Sequence, residues 1–157
     1  MRITKMCASL LLISLSLSVL AEDKVKADDV LGFWLSESKK GVVEIYKKGD
    51  EFEGKLVWIK DIHDGKVEDK LDINNPEESE RKKSLKGLVN LKGFKFDGNE
   101  WTGGTIYDPQ KGKTYKAFMK MDGNDKLKIR GYIGISLFGR TTEWERQKSA
   151  VPDSYSK

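Results

Sequence analysis

The sequence is poor in residues that form cross-links or act as nucleophiles. Its 157 residues include one cysteine, one histidine and three prolines. Cys7 lies in the N-terminal apolar run, so the rest of the chain has neither a disulfide nor a thiol nucleophile. His63 stands alone, which excludes a metal site built from histidine and cysteine clusters. A serine hydrolase is disfavoured too, because Ser136 in GISLFG does not match the strand-to-helix elbow of those enzymes.

We therefore predict no catalytic residue, no metal site and no cofactor. A pair of carboxylates, for example Asp72 with Glu44, is the catalytic arrangement that the composition leaves open. Glycosidases need two such groups about 5–9 Å apart, and no sequence pattern fixes that separation. The sequence favours a function other than catalysis without deciding the point.

Long hydrophobic runs are absent except at the N-terminus. There, Arg2 and Lys5 precede CASLLLISLSLSVL, and small residues stand before a cleavage point after Ala21. This pattern is typical of a signal peptide, and the run is shorter than the about 20 apolar residues of a membrane span. We predict a signal peptide at 1–21 and a periplasmic or secreted protein, 22–157, that does not span the membrane. An uncleaved anchor is the alternative.

Positive and negative charges are nearly balanced in the sequence. The whole chain has a formal net charge of +4, and removal of 1–21 takes away two basic residues and no acidic one, leaving +2. Lysine and glutamate are interspersed along the chain, whereas nucleic-acid-binding proteins concentrate positive charge in one place. Nucleic acid is therefore excluded as a partner.

A period of two runs through most of the remaining sequence. In TYKAFMKM, Tyr115, Ala117 and Met119 alternate with lysines and Phe118, as in a half-buried strand. Turn signals such as Asp-Gly separate these runs. The pattern predicts eight strands, at 31–36, 41–47, 51–60, 88–96, 99–107, 112–121, 125–133 and 138–147.

Short connections between these strands predict an antiparallel meander in one domain, 22–157. Eight strands in this order can close into a small up-and-down barrel, which removes the exposed edges. We predict this all-β barrel fold and a monomer, with an open sandwich as the alternative. Lysines on the outward faces exclude an outer-membrane barrel, which needs an apolar band facing lipid.

One connection, 61–87, is much longer than the others. Within it, NNPEESERKKSLKG predicts a short helix, with Asn75 as the cap and Pro76 at the first helical position. Long ordered loops often serve as lids. We therefore consider a lid over one barrel mouth, with Asp72, Asn75 and Arg81 as its functional residues. A solvated surface helix is the alternative.

Two short patterns near the chain ends resemble the calycin barrels, the lipocalins and fatty-acid-binding proteins. Gly32-Phe33-Trp34 gives a G-x-W on the first strand, and Arg146 lies on the last strand. In that superfamily the tryptophan plugs one end of the barrel and the arginine packs across it. The resemblance implies that Trp34 and Arg146 close the barrel, and a guanidinium over an indole makes a favourable cation–π contact.

A closer resemblance covers nearly all of the sequence after the N-terminal run. GFWLS, DINNPEESERKKSLKGL, WTGGTIYDPQKGKTY and RGYIGISLFGRTTEW together are similar to the exported bacterial family called domain of unknown function 2147. That resemblance implies a small exported single-domain protein. The family has no established activity to carry over.

Counting along the last strand suggests a ligand contact. Arg140 has the same parity as Trp144, so both should face inward, whereas Arg130 should face outward. An inward arginine needs an anion or several acceptors. These are a protein partner, such as Glu44, Asp108 or a backbone carbonyl, or the carboxylate or phosphate of a ligand. We predict a small apolar, acidic ligand resembling a lipid or fatty acid, with Arg140 as its anion contact and Trp58, Tyr107 and Trp144 as apolar wall.

The competing hypothesis is a filled barrel that acts as an interaction or inhibitor module for another envelope protein. A cavity of roughly a few hundred Å³ favours the ligand. A packed interior with an exposed apolar loop favours the protein partner.

Overall fold

The computed structural model describes residues 24–156, which form one closed eight-stranded antiparallel barrel. The signal peptide predicted at 1–21 lies outside the described residues. Among the described residues, no helix is long and apolar enough to cross a membrane. The strands are β1 (Gly32–Leu35), β2 (Gly41–Lys48), β3 (Glu51–Ile59), β4 (Val89–Phe96), β5 (Trp101–Asp108), β6 (Lys113–Asp122), β7 (Lys126–Tyr132) and β8 (Arg140–Gln147).

Each strand pairs with its neighbours in sequence, and β8 returns to pair with β1. The closing register places Trp34 opposite Arg146. The predicted up-and-down barrel is therefore confirmed, because alternating sequences and short turns leave closure as the way to pair every strand edge.

The up-and-down order gives the barrel two different ends. The open end carries the connections β1–β2, β3–β4, β5–β6 and β7–β8. The closed end carries the other three connections and a 3₁₀ turn, Ala27–Val30, that precedes β1. Inward side chains at this end form a dense core, whose largest fully buried members include Trp34, Phe94, Trp101, Met119 and Leu127. Gly104 leaves room for the core, since a Cβ there would lie 2.4 Å from the Phe94 ring.

Bulges or irregularities interrupt the strand register in β2–β3, β3–β4 and β5–β6, and two of them concern predicted site residues. The β2–β3 register shifts between Val42 and Val43, and the β5–β6 register shifts between Trp101 and Gly104. A bulge adds one residue to one strand, so the residues beyond it exchange faces relative to a simple count by twos.

The long connection contains a one-turn α-helix, Lys60–His63, and a 3₁₀ turn, Glu78–Glu80. The short helix predicted after Asn75 is present as the single 3₁₀ turn Glu78–Glu80. The segment folds back on itself: Leu71 forms an isolated bridge with Ser84, and Lys83 O accepts a hydrogen bond from Asp72 N. This backbone pairing uses the groups that a longer helix would need.

A second apolar cluster lies outside the barrel core. Leu35, Val42 and Trp58 form it, and the C-terminal residues Val151 and Tyr155 pack against it. A 3₁₀ turn, Asp153–Tyr155, positions the tyrosine ring. The tail therefore covers an apolar strip that would otherwise face water.

Candidate functional site

The closed end is plugged by the 3₁₀ turn before β1. Val30 is fully buried, and its carbonyl accepts a hydrogen bond from Trp34 Nε1 at 2.8 Å. The carbonyl of Ala27 accepts one from Trp101 Nε1 at 3.1 Å. Each indole thus packs its apolar surface in the core while its N–H finds a backbone partner. The 3₁₀ turn therefore covers the core at this end of the barrel.

Arg146 seals the same end from outside. Its guanidinium carbon lies 4.2 Å from the centroid of the Trp34 ring. The three nitrogens donate to Asn124 O at 2.7 Å, Leu31 O at 2.9 Å and Asp29 O at 2.5 Å. Burial lowers the pKa of Arg146 from its usual value. The side chain thus joins the N-terminal segment, the β6–β7 turn and the indole face.

The inner face of the barrel becomes more accessible toward the open end. We define the open-end chamber by five half-buried residues, Leu56, Ile106, Tyr115, Gly131 and Thr142. Leu56 and Ile106 pack against the side of the core that faces the open end. A Cβ on Gly131 would lie 3.3 Å from Ile106 Cγ2 and 3.6 Å from Tyr115 Cβ, so these three residues adjoin inside the wall.

The floor of the open-end chamber is Trp144, which is 5% exposed. Its Nε1 donates to Thr142 Oγ1 at 3.2 Å. The hydroxyl of Tyr115 makes no hydrogen bond with any of the residues 24–156. Apolar walls with a few polar groups are typical of sites for small molecules.

Arg140 does not point into the barrel, and this prediction was wrong. Its side chain is 77% exposed and forms an ion pair with Glu37, with Nη2 3.0 Å from Oε2. Thr142 and Trp144 do face inward, as the count by twos predicts. Arg140 is the first residue of β8, at the rim, where a long side chain can bend away from the mouth into water.

Trp58 also lies outside the chamber, contrary to prediction. It packs in the outer cluster with Leu35 and Val42, and its ring centroid is 5.1 Å from that of Tyr155 and 5.5 Å from that of His63. The bulge beside Val42 is the reason. Leu56 pairs with Val43 inside the barrel, and the extra residue then turns Trp58 outward.

Tyr107 is the second misplaced wall residue, for the same reason. Beyond the β5 bulge, Ile106 takes the inward position and Tyr107 faces out. Its hydroxyl donates to Asp72 Oδ1 at 2.8 Å. Burial, and secondarily this bond to a carboxylate, raise the pKa of Tyr107 to about 12.

The predicted lid residues dock the long connection on the outer wall. Asp72 is 2% exposed and also accepts from Asn75 Nδ2 at 2.6 Å. Arg81 Nε donates to Asn75 O at 2.7 Å, and Asn74 Nδ2 donates to Pro109 O at 3.2 Å. A groove of about 330 Å³ separates this segment from the outer faces of β4 to β6. These three residues therefore hold the segment beside the barrel, not across its mouth.

No three His, Cys, Asp or Glu side chains converge within residues 24–156 as a metal site would require. The residues that sequence reasoning missed are Leu56 and Ile106 as chamber walls, together with the free hydroxyl of Tyr115. The alternation in TYKAFMKM already puts Tyr115 on the inner face. Nothing in the sequence reveals which inner-face residues lie near the open end.

Comparison with known proteins agrees with this architecture. The sequence profile of the family described as "Uncharacterized protein conserved in bacteria (DUF2147)" matches residues 32–146. The structure of protein HP1028 from Helicobacter pylori, described as belonging to the lipocalin family, matches with a TM-score of 0.67 and 25% identity. The match covers 75% of this chain and 82% of that one. No curated protein matches the chain. Because the profile match runs from the first strand to the last, the chain belongs to the bacterial family DUF2147, here with a lipocalin-like barrel.

Proposed function

We propose that this protein binds a small apolar ligand in the open-end chamber. The observation that carries the proposal is the change of burial along the inner face. Phe94, Trp101 and Met119 are fully buried near the closed end, whereas Ile106 and Tyr115 are half-buried near the open end. A barrel filled at one end and accessible at the other is suited to hold one small molecule.

The chemistry of the chamber indicates the class of ligand. Leu56 and Ile106 offer aliphatic wall, and Trp144 offers an aromatic floor. No charged residue is among the five that define the chamber. Transfer of apolar surface from water into such a site is favourable, at about 25 cal/mol per Å². A lipid or fatty-acid-like molecule fits this wall.

The polar end of the ligand requires a different partner from the one first expected. Arg140 is paired with Glu37 at the surface, so it supplies no anion contact within the chamber. The Tyr115 hydroxyl has no protein partner among the described residues and can donate to a carboxyl, ester or hydroxyl oxygen. We propose that Tyr115 takes the role first given to Arg140.

Substitutions at Gly131 and Tyr115 test the proposal. Gly131 does not need the left-handed backbone, and a larger side chain there points at Ile106 and Tyr115. Gly131→Leu should fill the chamber and weaken binding of a neutral apolar probe, N-phenyl-1-naphthylamine, at least tenfold. Tyr115→Phe keeps the ring and should leave this probe unaffected while weakening fatty-acid binding several-fold.

The matched control is Lys120→Leu, which places the same side chain on the exposed outer face of β6. It should bind the probe like the wild type. Probe binding that survives in Gly131→Leu, with the fold intact by circular dichroism, would place the ligand elsewhere.

The second candidate is an interaction module without a small-molecule ligand. The dense packing of the closed half favours it, because most of the interior is already occupied by core side chains. Under this hypothesis the wild type would bind neither probe nor fatty acid, and Gly131→Leu would retain full activity towards the protein partner.

A further inference from the structure

The β7–β8 connection displays a cluster of large apolar side chains to water. We call Ile133, Ile135, Leu137 and Phe138 the apolar tip; they are 68%, 59%, 74% and 78% exposed. Residues 131–139 contain no charged residue, although 34% of the chain is charged. Single exposed apolar residues are ordinary, but four within six positions mark a surface that binds something.

The backbone of this connection is held in one conformation. Arg130 Nε donates to Ser136 O at 2.8 Å, and its Nη2 donates to Leu137 O at 3.1 Å. Its Nη1 donates to Thr141 Oγ1 at 2.9 Å, which ties the loop to β8. The loop also closes on itself, because Gly139 N donates to Ser136 O at 3.1 Å.

These bonds matter for where the apolar tip can go. In a lipid environment, unsatisfied backbone groups are costly because no water is present to pair with them. Arg130 satisfies two loop carbonyls from the barrel side, so the tip can leave water without exposing those carbonyls to lipid. The guanidinium itself is tied to Thr141 on β8, at the base of the loop.

Unpaired positive charge lies beside the tip. Lys113 and Lys116 are exposed on β6, the strand next to β7, and neither forms an ion pair with any residue in the described part of the chain. The β6–β7 register places Lys116 directly opposite Tyr132, at the start of the connection. Exposed lysines near a bilayer are attracted to anionic lipid.

We propose that the apolar tip docks this protein on an anionic lipid bilayer, with the tip in the headgroup region and the lysines on lipid phosphates. The tip is a convex group of four residues. A stable protein interface takes about 20–30 residues on each side and needs a complementary surface. A bilayer needs only buried apolar area and opposite charge.

The proposal rests on the tip and not on the open-end chamber, so it holds whether or not the chamber takes a ligand. Both lie at the open end of the barrel. A docked protein therefore has its chamber facing the bilayer.

Vesicle flotation tests the proposal with the purified wild-type protein. One set of vesicles is phosphatidylethanolamine with a quarter of phosphatidylglycerol, and the other is phosphatidylcholine alone. We expect binding to the anionic set and at least tenfold weaker binding of the double variant Leu137→Ser/Phe138→Ser. Lys113→Gln/Lys116→Gln should weaken anionic binding several-fold.

Ile73→Ser is the matched control, because Ile73 is 68% exposed at the same end but lies in the β3–β4 connection. It should bind within twofold of the wild type. An equal loss in Ile73→Ser would overturn the proposal, since general surface hydrophobicity would then explain binding. Equal binding of the wild type to phosphatidylcholine would overturn the role of the lysines.

A second measurement does not depend on a loss of binding. An environment-sensitive fluorophore on Leu137→Cys, in a Cys7→Ser background, should shift to the blue on anionic vesicles. If the wild type binds neither vesicle set but self-associates through the tip in sedimentation experiments, the proposal is overturned and the tip is a protein interface.

Discussion

The guanidinium of Arg146, on the last strand, lies 4.2 Å from the ring centroid of Trp34, on the first strand. The two residues are also partners in the register that closes the barrel. This contact joins the first and last strands and covers one end of the barrel.

Loss of the Arg146 contacts should destabilise the fold strongly. Arg146→Met removes the donors to three carbonyls, so the free energy of unfolding should fall by about 2–4 kcal/mol. Arg146→Lys keeps the charge but not the planar fork, and its effect should be intermediate. Urea unfolding measures both. Arg140→Met is the control, because its exposed ion pair should contribute less than about 0.5–1 kcal/mol. Equal losses at the two arginines would contradict the closure role.

The bond between Tyr107 and Asp72 should control the order of the long connection. In a double-mutant cycle with Tyr107→Phe and Asp72→Asn, we expect a coupling energy of about 1–3 kcal/mol. Amide exchange across 70–85 should accelerate in either variant, because Asp72 is the buried anchor of that segment. Glu77→Gln, an exposed carboxylate in the same segment, should leave exchange unchanged. A coupling energy near zero would mean that the segment is held by its backbone pairing alone.

Alkaline pH should weaken the fold through two tyrosines. Burial, followed by bonds to Asp72 and Glu53 respectively, raises the pKa of Tyr107 and of Tyr46 to about 12. An unfolded tyrosine has a pKa of about 10. Because the folded pKa is the higher one, the stabilisation is complete below about pH 10 and is lost as the pH rises towards about 12.

Urea unfolding at a series of alkaline pH values measures this dependence. Tyr107→Phe and Tyr46→Phe should each make the fall of stability with pH shallower, whatever their effect at neutral pH. A slope identical to that of the wild type in both variants would show that other groups cause the alkaline loss.

Removal of the tail should expose the outer cluster. A chain ending at Ala150 lacks Val151 and Tyr155, so Trp58 becomes accessible and stability should fall by about 1–3 kcal/mol. Tryptophan emission should shift to the red. The same truncation in a Trp58→Phe background should produce no shift, because the other three tryptophans are buried in the core. A shift that persists in that background would mean that the tail supports the core itself.

Much of the fold could be read from the sequence because its signals are local. Alternation and Asp-Gly turns located all eight strands to within a few residues, and the short connections then determined their pairing. The short helix expected after Asn75 is limited to one 3₁₀ turn, because backbone pairing between Leu71 and Ser84 competes for the same segment. The pairing is between residues that are not neighbours in sequence, and local helix propensity does not account for such contacts.

The candidate site was harder to predict, because the face on which each residue lies depends on the alternation of inward and outward side chains along the whole strand. Trp58 and Tyr107 each lie beyond a bulge, and one added residue reverses the face of everything after it. Arg140 has the expected parity but lies at the rim, where parity no longer decides direction. Trp144, with no bulge between it and its neighbours on β8, faces inward as counted.

The most direct test of a ligand in the open-end chamber is native mass spectrometry of the protein purified from the cells that produce it, followed by solvent extraction. We predict one apolar molecule per chain in the wild type and a clean apo mass for Gly131→Leu. A clean apo mass for the wild type, with no fatty acid or lipid bound on addition, would contradict the account and leave a filled interaction module.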